Sequence, residues 1–114
     1  MFSRIACIKE VSIGKNTITG PNLFISDYNH AYLDVSKPIC FQGTTPPNKS
    51  VIIDDDCWIG ANVVIIGNVH IGKHCVVGAS SVVTKDIPDY CVAIGNPARV
   101  IKKYNFKKKQ WEKI

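Results

Sequence analysis

The stretch IDDDCWIGANVVIIGNVHIGKHCVVGASSVVT, from Ile53 to Thr84, repeats itself every six residues. The first position of each hexad is aliphatic, and glycine follows it directly in three hexads. Helical apolar residues recur at spacings of three and four, and a flat strand alternates, so neither pattern explains the repeat. The first positions are Ile53, Ile59, Ile65, Ile71, Val77 and Val83, and the fifth positions, mostly small or medium-sized, are Cys57, Val63, Val69, Cys75, Ser81 and Ile87.

A period of six is typical of a parallel β-helix, in which each hexad forms one short strand and one corner. Three hexads complete a triangular coil, so residues 18 apart, such as Ile53 and Ile71, are expected to lie above one another. The aliphatic residues then stack inside, and glycine serves the corners, where a positive φ costs little. The alternative is an antiparallel β-sandwich in which the spacing is accidental. This alternative is disfavoured because the first position of every hexad is aliphatic.

The repeat returns upstream of residue 31 with Ile13 and Ile25 in the aliphatic slot, but residues 31–52 break it. This segment contains Gly43 and three prolines (Pro38, Pro46 and Pro47), which is typical of a loop leaving the coil. The sequence therefore predicts an all-β fold: a repeat domain over residues 1–98, with about four to five coils and a loop insertion at about 31–52. Residues 99–114 form a short basic tail, for which a helix is one interpretation.

The basic residues are unevenly distributed. Seven of the 14 lie in the last 16 positions, whereas eight of the nine acidic residues precede residue 99. Such a tail suits phosphate, nucleic acid or an acidic membrane surface, and a simply solvated end is an equal alternative. Few aromatic residues accompany it (Tyr104, Phe106 and Trp111), so we expect no nucleic-acid partner.

Cysteine usage and the N-terminus bear on location. The five cysteines are odd in number and form no CxxC pair, which favours neither a disulfide framework nor a zinc ribbon, and a reducing cytosol is the simplest compartment. The first residues lack the apolar run of a signal peptide, and no stretch approaches the length of a membrane span. We therefore expect a cytoplasmic protein without membrane insertion. The cysteines are Cys7, Cys40, Cys57, Cys75 and Cys91.

Residues 58–88, WIGANVVIIGNVHIGKHCVVGASSVVTKDIP, followed by AIGNPARVIKK at 93–103, closely resemble the C-terminal half of the hexapeptide-repeat O-acetyltransferases. That family modifies sugars, antibiotics and capsular or lipopolysaccharide units. The resemblance covers residues 11 to about 102 and is specific, because the hexads, WIG, VVTKDIP and GNPA occur in the family's order. It implies a left-handed parallel β-helix, a homotrimer with active sites between subunits, and acetyl-coenzyme A as the acetyl donor; no metal is expected.

The resemblance also implies a catalytic histidine near the start of the loop, which matches His30 in ISDYNHAY. An alcohol attacks a thioester poorly, and a neutral imidazole, with an ordinary pKa of about 6.5, can accept its proton as attack occurs. Asp27 is close enough in sequence to orient the ring. Without the resemblance, His30 would be interpreted as a solvated loop residue.

The coenzyme positions also come from the resemblance, and the repeat supports some of them. Ala61 and Ala79 are 18 apart, so they are expected to stack at one corner, with Pro97 a further 18 along, and to leave a shallow channel. Lys85 and Arg99 suit the phosphates. The positions that match coenzyme contacts are Trp58, Ala61, Ala79, Thr84, Lys85 and Arg99.

His70 and His74, beside Cys75, raise the alternative of a zinc site, which the γ-class carbonic anhydrases build on the same coil. Their spacing differs from that family's pair, and a zinc site needs at least three protein ligands. Both histidines are therefore predicted to occupy outer positions of the coil.

We predict an acetyl-coenzyme A-dependent acetyltransferase acting on a hydroxyl of a sugar or polysaccharide precursor, with His30 as general base. Two alternatives stay open. One is a catalytically silent repeat protein with a structural or assembly role, because family members usually carry further N-terminal residues that shape the acceptor pocket. The other is N-acetylation of an amino sugar, which the same base would serve.

Overall fold

The computed structural model describes residues 3–7, 9–45 and 50–114 of the 114-residue chain. The described residues form 13 short strands and one 3₁₀ turn at Ile39–Phe41. The strands wind around a single long axis, giving extents of 56 × 27 × 23 Å. Their bounds are β1 Arg4–Ala6, β2 Glu10–Ile13, β3 Ile18–Thr19, β4 Phe24–Ser26, β5 Ser50–Ile53, β6 Trp58–Ile59, β7 Val64–Ile66, β8 Val69–Ile71, β9 Val76–Val77, β10 Val82–Val83, β11 Cys91–Gly95, β12 Ala98–Asn105 and β13 Gln110–Lys113.

Parallel pairing builds the three faces of a prism. Face A consists of β1, β4, β7 and β10, and face B consists of β2, β5 and β8, extended by a bridge between Ile71 and Ile87. Face C consists of β3, β6, β9 and β11, to which β12 and β13 are added. Up to four strands per face agree with the predicted coil number.

The register confirms the stacking that the repeat predicts. Ile53 pairs with Ile71, Ile59 with Val77, and Ile65 with Val83, each pair belonging to a different face. All six side chains are at most 1% exposed, and the fifth-position residues are buried beside them. The core is therefore a column of aliphatic side chains with thiols and Ser81 at its edges.

The hexad glycines do not serve the purpose predicted for them. Positive φ angles fall two residues later, for example at Asn62 (58°) and Ser80 (61°), and Gly60 is not among the positive-φ glycines. A Cβ on Gly60 would instead lie 2.7 Å from the backbone nitrogen of Ala79 in the next coil. Glycine is needed there because the coils approach closely, so the prediction of positive φ at the hexad glycines was wrong.

The predicted loop leaves the prism after β4, and the coil resumes at Ser50, earlier than the boundary of 52. Residues 46–49, which contain Pro46 and Pro47, lie outside the described residues. The described part, residues 31–45, which we call the arm, is closed at its base by an antiparallel bridge between His30 and Thr44. Its tip is organised by Gln42, whose Nε2 donates to the carbonyls of Asp34 and Lys37 at 2.7 and 2.9 Å.

The C-terminal tail is not helical. After a turn at Gly95–Ala98, β12 runs antiparallel to β11 and then pairs with β13. Asn105 fixes the turn between them, since its Oδ1 accepts from the backbone nitrogens of Lys107 and Lys108 at 3.0 and 3.1 Å. Strand-period alternation of aromatic residues around this turn outweighs the helical interpretation. Within the described ranges no helix has the length and apolarity needed to cross a bilayer.

Candidate active site at the junction of coil and arm

His30 lies where the chain leaves face A for the arm. Its backbone is held by the bridge to Thr44, and the neighbouring Ala31 nitrogen donates to the Gly43 carbonyl at 3.0 Å. The imidazole is exposed and meets the Tyr28 ring edge-on, with 6.2 Å between the ring centroids. An exposed ring on a fixed backbone suits a group that exchanges a proton with a substrate.

Two clefts meet at His30. The first, about 190 Å³, runs along the outside of face A and is lined by Phe24, Ser26, Tyr28, Asn29, His30 and Ile66. The second, about 430 Å³, lies under the arm and is lined by His30, Ala31, Tyr32, Leu33, Asp34, Gln42, Thr44 and Thr45. A single histidine therefore borders both a coil-side and an arm-side space.

Asp27 is 1% exposed and ties the first coil to the second. Its Oδ2 accepts from the backbone nitrogens of Lys9 and Glu10 at 2.7 and 2.8 Å, and the Cys7 thiol donates to the same atom at 3.5 Å. Desolvation is the main cause that raises the pKa of the Cys7 thiol, and the adjacent Asp27 carboxylate is the second. These contacts give Asp27 an anchoring role three residues before His30, and its predicted action on the imidazole stays a prediction.

Ala61 and Ala79 stack at the corner between faces C and A. The Ser80 nitrogen donates to the Ala61 carbonyl at 2.8 Å, so one corner sits directly on the other. Ala79 is exposed and Ala61 half-buried, so only small side chains occupy this edge at the two corners. The stack does not continue to Pro97, because the chain has already reversed at Gly95–Ala98.

Thr84 and Lys85 occupy the other edge of face A. Val83 pairs with Ile65, which places Thr84 beside Ile66 and therefore on the same edge as the coil-side cleft of His30. Lys85 is exposed and forms no ion pair with another described residue.

The two remaining coenzyme positions lie on face C. Trp58 is 57% exposed on its outer surface. Arg99 is at the start of β12 opposite Ile94, and it also lacks an ion pair among the described residues. One chain thus holds the predicted residues apart: Thr84 and Lys85 lie with His30 at one edge of face A, Ala61 and Ala79 lie at its other edge, and Trp58 and Arg99 lie on the adjoining face C.

His70 and His74 occupy outer positions, as predicted. His70 Nε2 lies 2.8 Å from Asp54 Oδ2, and His74 stacks on Tyr90 with 5.5 Å between ring centroids. Among the described residues no three His, Cys, Asp or Glu side chains form a group that could hold a metal ion.

Comparison with known proteins identifies the architecture. Residues 50–85 match the family described as "Bacterial transferase hexapeptide (six repeats)". The chain is 38% identical over 117 aligned residues to an Escherichia coli K12 protein provisionally named a lipopolysaccharide biosynthesis O-acetyl transferase, covering 98% of this chain and 60% of that protein. A solved galactoside acetyltransferase in complex with coenzyme A superimposes with a TM-score of 0.74 at 38% identity, covering 88% and 48%. A Vibrio cholerae hexapeptide-repeat acetyltransferase complexed with acetyl-coenzyme A gives 0.72 at 36% identity, covering 82% and 49%.

The chain contains the bacterial transferase hexapeptide repeat and is similar in sequence and fold to hexapeptide-repeat acetyltransferases. Its prism is the left-handed parallel β-helix of those acetyltransferases, as the resemblance implies. The chain spans about half the length of these relatives, from 48 to 60%.

One feature of this hexapeptide-repeat chain was not predicted from its sequence. Tyr104 and Trp111 pair across the C-terminal hairpin. Together with Tyr90 and Phe106 they form a network of edge-to-face ring contacts, with 4.8 to 5.4 Å between ring centroids. The available signal was the alternation of Tyr104 and Phe106, followed by a run of lysines and then Trp111, which is the pattern of a hairpin.

Proposed function

We propose that this chain carries the catalytic part of an acetyl-coenzyme A-dependent O-acetyltransferase that modifies a hydroxyl of a sugar or polysaccharide precursor. One observation carries the proposal: His30 borders two clefts, one along the coil and one under the arm. A base that transfers a proton between two substrates needs access to both, and one shared imidazole provides it. Similar proteins named galactoside O-acetyltransferase and maltose O-acetyltransferase support a sugar acceptor.

His30 acts first as a base. The acceptor hydroxyl gives its proton to the imidazole as its oxygen attacks the thioester carbonyl, forming the new C–O bond. The resulting tetrahedral oxyanion collapses, the C–S bond breaks, and the imidazolium returns the proton to the departing thiolate. Charge and protons balance without another group, so the imidazole is regenerated in each turnover.

The coenzyme positions serve different portions of the donor. The small side chains of Ala61 and Ala79 leave room for an extended pantetheine arm along their edge. Lys85 and Arg99, exposed and without acidic partners among the described residues, suit the coenzyme phosphates. Trp58 offers an exposed indole to the same ligand.

The active site is proposed to lie between subunits of a homotrimer. The arm exposes several large apolar side chains, among them Val35 at 100% and Phe41 at 78%, which a neighbouring prism would cover. Packing the His30 edge of one chain against the Ala61–Ala79 edge of the next would also unite the residues that a single chain holds apart. A closed ring of three identical interfaces satisfies both requirements.

An acceptor screen tests the function. Purified protein, with its exposed cysteines alkylated beforehand to remove background, is mixed with acetyl-coenzyme A and a panel of mono- and oligosaccharides, and released thiol is followed. We expect acceptor-dependent thiol release and an acetyl ester on the sugar, detected by mass spectrometry and removed by mild base. Acetylation only of amino sugars, giving base-stable amides, would contradict O-transfer. Bound coenzyme without any transfer across the panel would favour the silent alternative.

A further inference from the structure

The C-terminal hairpin, formed by β12, β13 and the turn between them, concentrates positive charge. Residues 99–114 hold seven basic side chains and one acidic one, Glu112. Glu112 pairs with Lys108 at 3.7 Å, and the other hairpin cations have no acidic partner among the described residues. Unpaired cations at this density attract a polyanion through a long-range field.

One side of the hairpin forms an aromatic cleft of about 250 Å³, lined by His74, Tyr90, Tyr104 and Trp111. The His74 and Trp111 rings are inclined by only 27°, with 6.4 Å between their centroids. Tyr104 meets Trp111 edge-on at 5.4 Å. Four rings therefore surround a space that is bordered by planar, apolar surfaces and small enough for a single sugar ring.

A second cleft, about 430 Å³, lies beside the first and shares Tyr104 with it. Its charged residues are Lys103, Lys107, Lys113 and Glu112, and Asn105, Phe106 and Ile114 line the rest of it. Tyr104 thus lines both clefts, whereas Lys103 and its cross-strand partner Glu112 project from the opposite face of the hairpin to Tyr104 and Trp111. A ligand that reaches both faces must be a chain that combines rings with apolar faces and negative charge.

An anionic glycan has this combination, because its pyranose rings present C–H faces to aromatic side chains and its carboxylates or phosphates meet the lysines. Single-stranded nucleic acid needs a row of stacking platforms for larger ring systems, whereas these rings enclose one small cleft. Aromatic residues that enter a lipid surface project from it, whereas Tyr104 and Trp111 contact each other across the cleft.

We propose that the hairpin binds an anionic polysaccharide chain, as a second sugar-binding site away from His30. This inference rests on the proposed function, since the bound polymer would be the acceptor whose distant unit reaches His30. The two regions lie at different corners and coils of the prism: His30 follows β4, and Tyr104 hydrogen-bonds the Tyr90 carbonyl beyond β10. Binding here would raise the local concentration of acceptor groups at the active site.

Calorimetric titration tests the site without requiring catalysis. The His30→Ala protein is titrated with polysialic acid, a carboxylated polymer, and with neutral maltoheptaose at low salt. We expect saturable binding of the acidic polymer only, weakened at least about 10-fold at about 0.5 M salt. Trp111→Leu, which removes the ring but keeps an apolar side chain, should weaken binding about 10-fold or more, whereas Trp111→Phe should retain it within about threefold.

A second variant keeps the test independent of Trp111 packing. Lys103→Gln with Lys113→Gln should also weaken polysialic acid binding about 10-fold, while circular dichroism and melting temperature stay at the parent values. Absence of polysialic acid binding, or unchanged affinity in both the Trp111→Leu and the lysine variants, would overturn the site. Equal affinity for poly(dT) or acidic phospholipid vesicles with the same Trp111 dependence would overturn its assignment to a glycan. Failure of acetyl transfer with binding intact would instead overturn the proposed function alone.

Discussion

The coil and the arm are built by opposite means. The coil between Val51 and Ala93 buries nearly every inward side chain, and its backbone is held by three sets of parallel ladders. The arm over residues 31–45 contributes nothing to the core cluster, and a few local hydrogen bonds and one bridge hold it. His30 stands at the boundary between these two regions.

The difference separates stability from function within one short chain. The inward side chains of the coil are buried within one chain. The arm leaves large apolar side chains in water, a cost that a partner surface would remove. Substitutions in the coil should therefore act on folding, and substitutions at the arm or its junction should act on assembly and catalysis.

The largest contrast is expected between two histidines. His30→Ala should lower kcat by about 10²- to 10⁴-fold with little change in coenzyme affinity, because the imidazole acts on the acceptor proton. His70→Ala, a coil histidine paired with Asp54, serves as the matched control and should stay near the wild-type rate. Steady-state kinetics with calorimetry of coenzyme binding measures both. A His30→Ala enzyme that keeps more than a tenth of the wild-type rate would remove His30 from the base role.

Two glycine substitutions, one in the coil and one in the arm, compare how the two regions contribute to folding stability. Gly60→Ala should lower the free energy of unfolding by about 2–3 kcal/mol, because the new methyl meets backbone atoms of the next coil. Gly43→Ala in the arm has no atom within 4 Å of the added Cβ, and its φ of 77° leaves only a conformational cost. That cost is about 1–2 kcal/mol and is partly offset by the reduced entropy of the unfolded chain. Urea unfolding at one protein concentration measures the free energy of unfolding of both variants. Equal losses of this free energy would contradict the close approach between coils.

Two exposed cations, Lys85 and Arg99, should affect coenzyme binding. Lys85→Ala and Arg99→Ala should each raise the coenzyme dissociation constant by about 10- to 100-fold, through loss of a charge-assisted contact. Lys15→Ala, which removes an exposed charge on the first coil, is the control and should leave affinity unchanged. Calorimetric titration distinguishes them. Unchanged affinity in both test variants would move the phosphate contacts elsewhere on the chain.

The smallest effect is expected at the apolar tip of the arm. Phe41→Asp should weaken trimer association by roughly 10-fold or more, since a side chain buried at the proposed interface becomes charged. Ile114→Asp, at a similarly exposed apolar position on the hairpin, is the matched control and should leave assembly intact. Sedimentation velocity across a dilution series reports both. A Phe41→Asp protein that assembles like wild type would show that the arm does not contact a neighbour.

The coil could be predicted from the sequence because the hexad constrains every inward position in the same way. Ile53 under Ile71 follows directly from a period of six and three strands per coil. The stacking of Ala61 under Ala79 follows from the same count. The role of the hexad glycines could not be predicted from the repeat. Glycine is needed there because the neighbouring coil's backbone lies close, and this does not depend on the glycine's own conformation.

The arm and the C-terminal hairpin lack such a repeat. The return of the chain at Ser50 and the contact of His30 with Thr44 depend on pairing between residues far apart in sequence, which local patterns do not encode. The lysine-rich tail is interpreted as a solvated or helical end when its aromatic pattern is not weighed, and the pairing of β12 with β13 shows it to be a hairpin. The separation of the predicted coenzyme residues onto two edges is likewise a consequence of the fold's triangular section.

The central claim, a site shared between neighbouring chains, is tested most directly by mixing two inactive variants. His30→Ala lacks the base, and Ala79→Trp places a bulky ring in the proposed coenzyme channel on the opposite edge. After unfolding and refolding an equal mixture, random assembly into closed trimers gives about one quarter of interfaces a good histidine and a good channel. Activity is therefore expected to recover to roughly a quarter of wild type. No recovery, with mixed trimers confirmed by native mass spectrometry, would show that both elements come from one chain and would contradict the shared site.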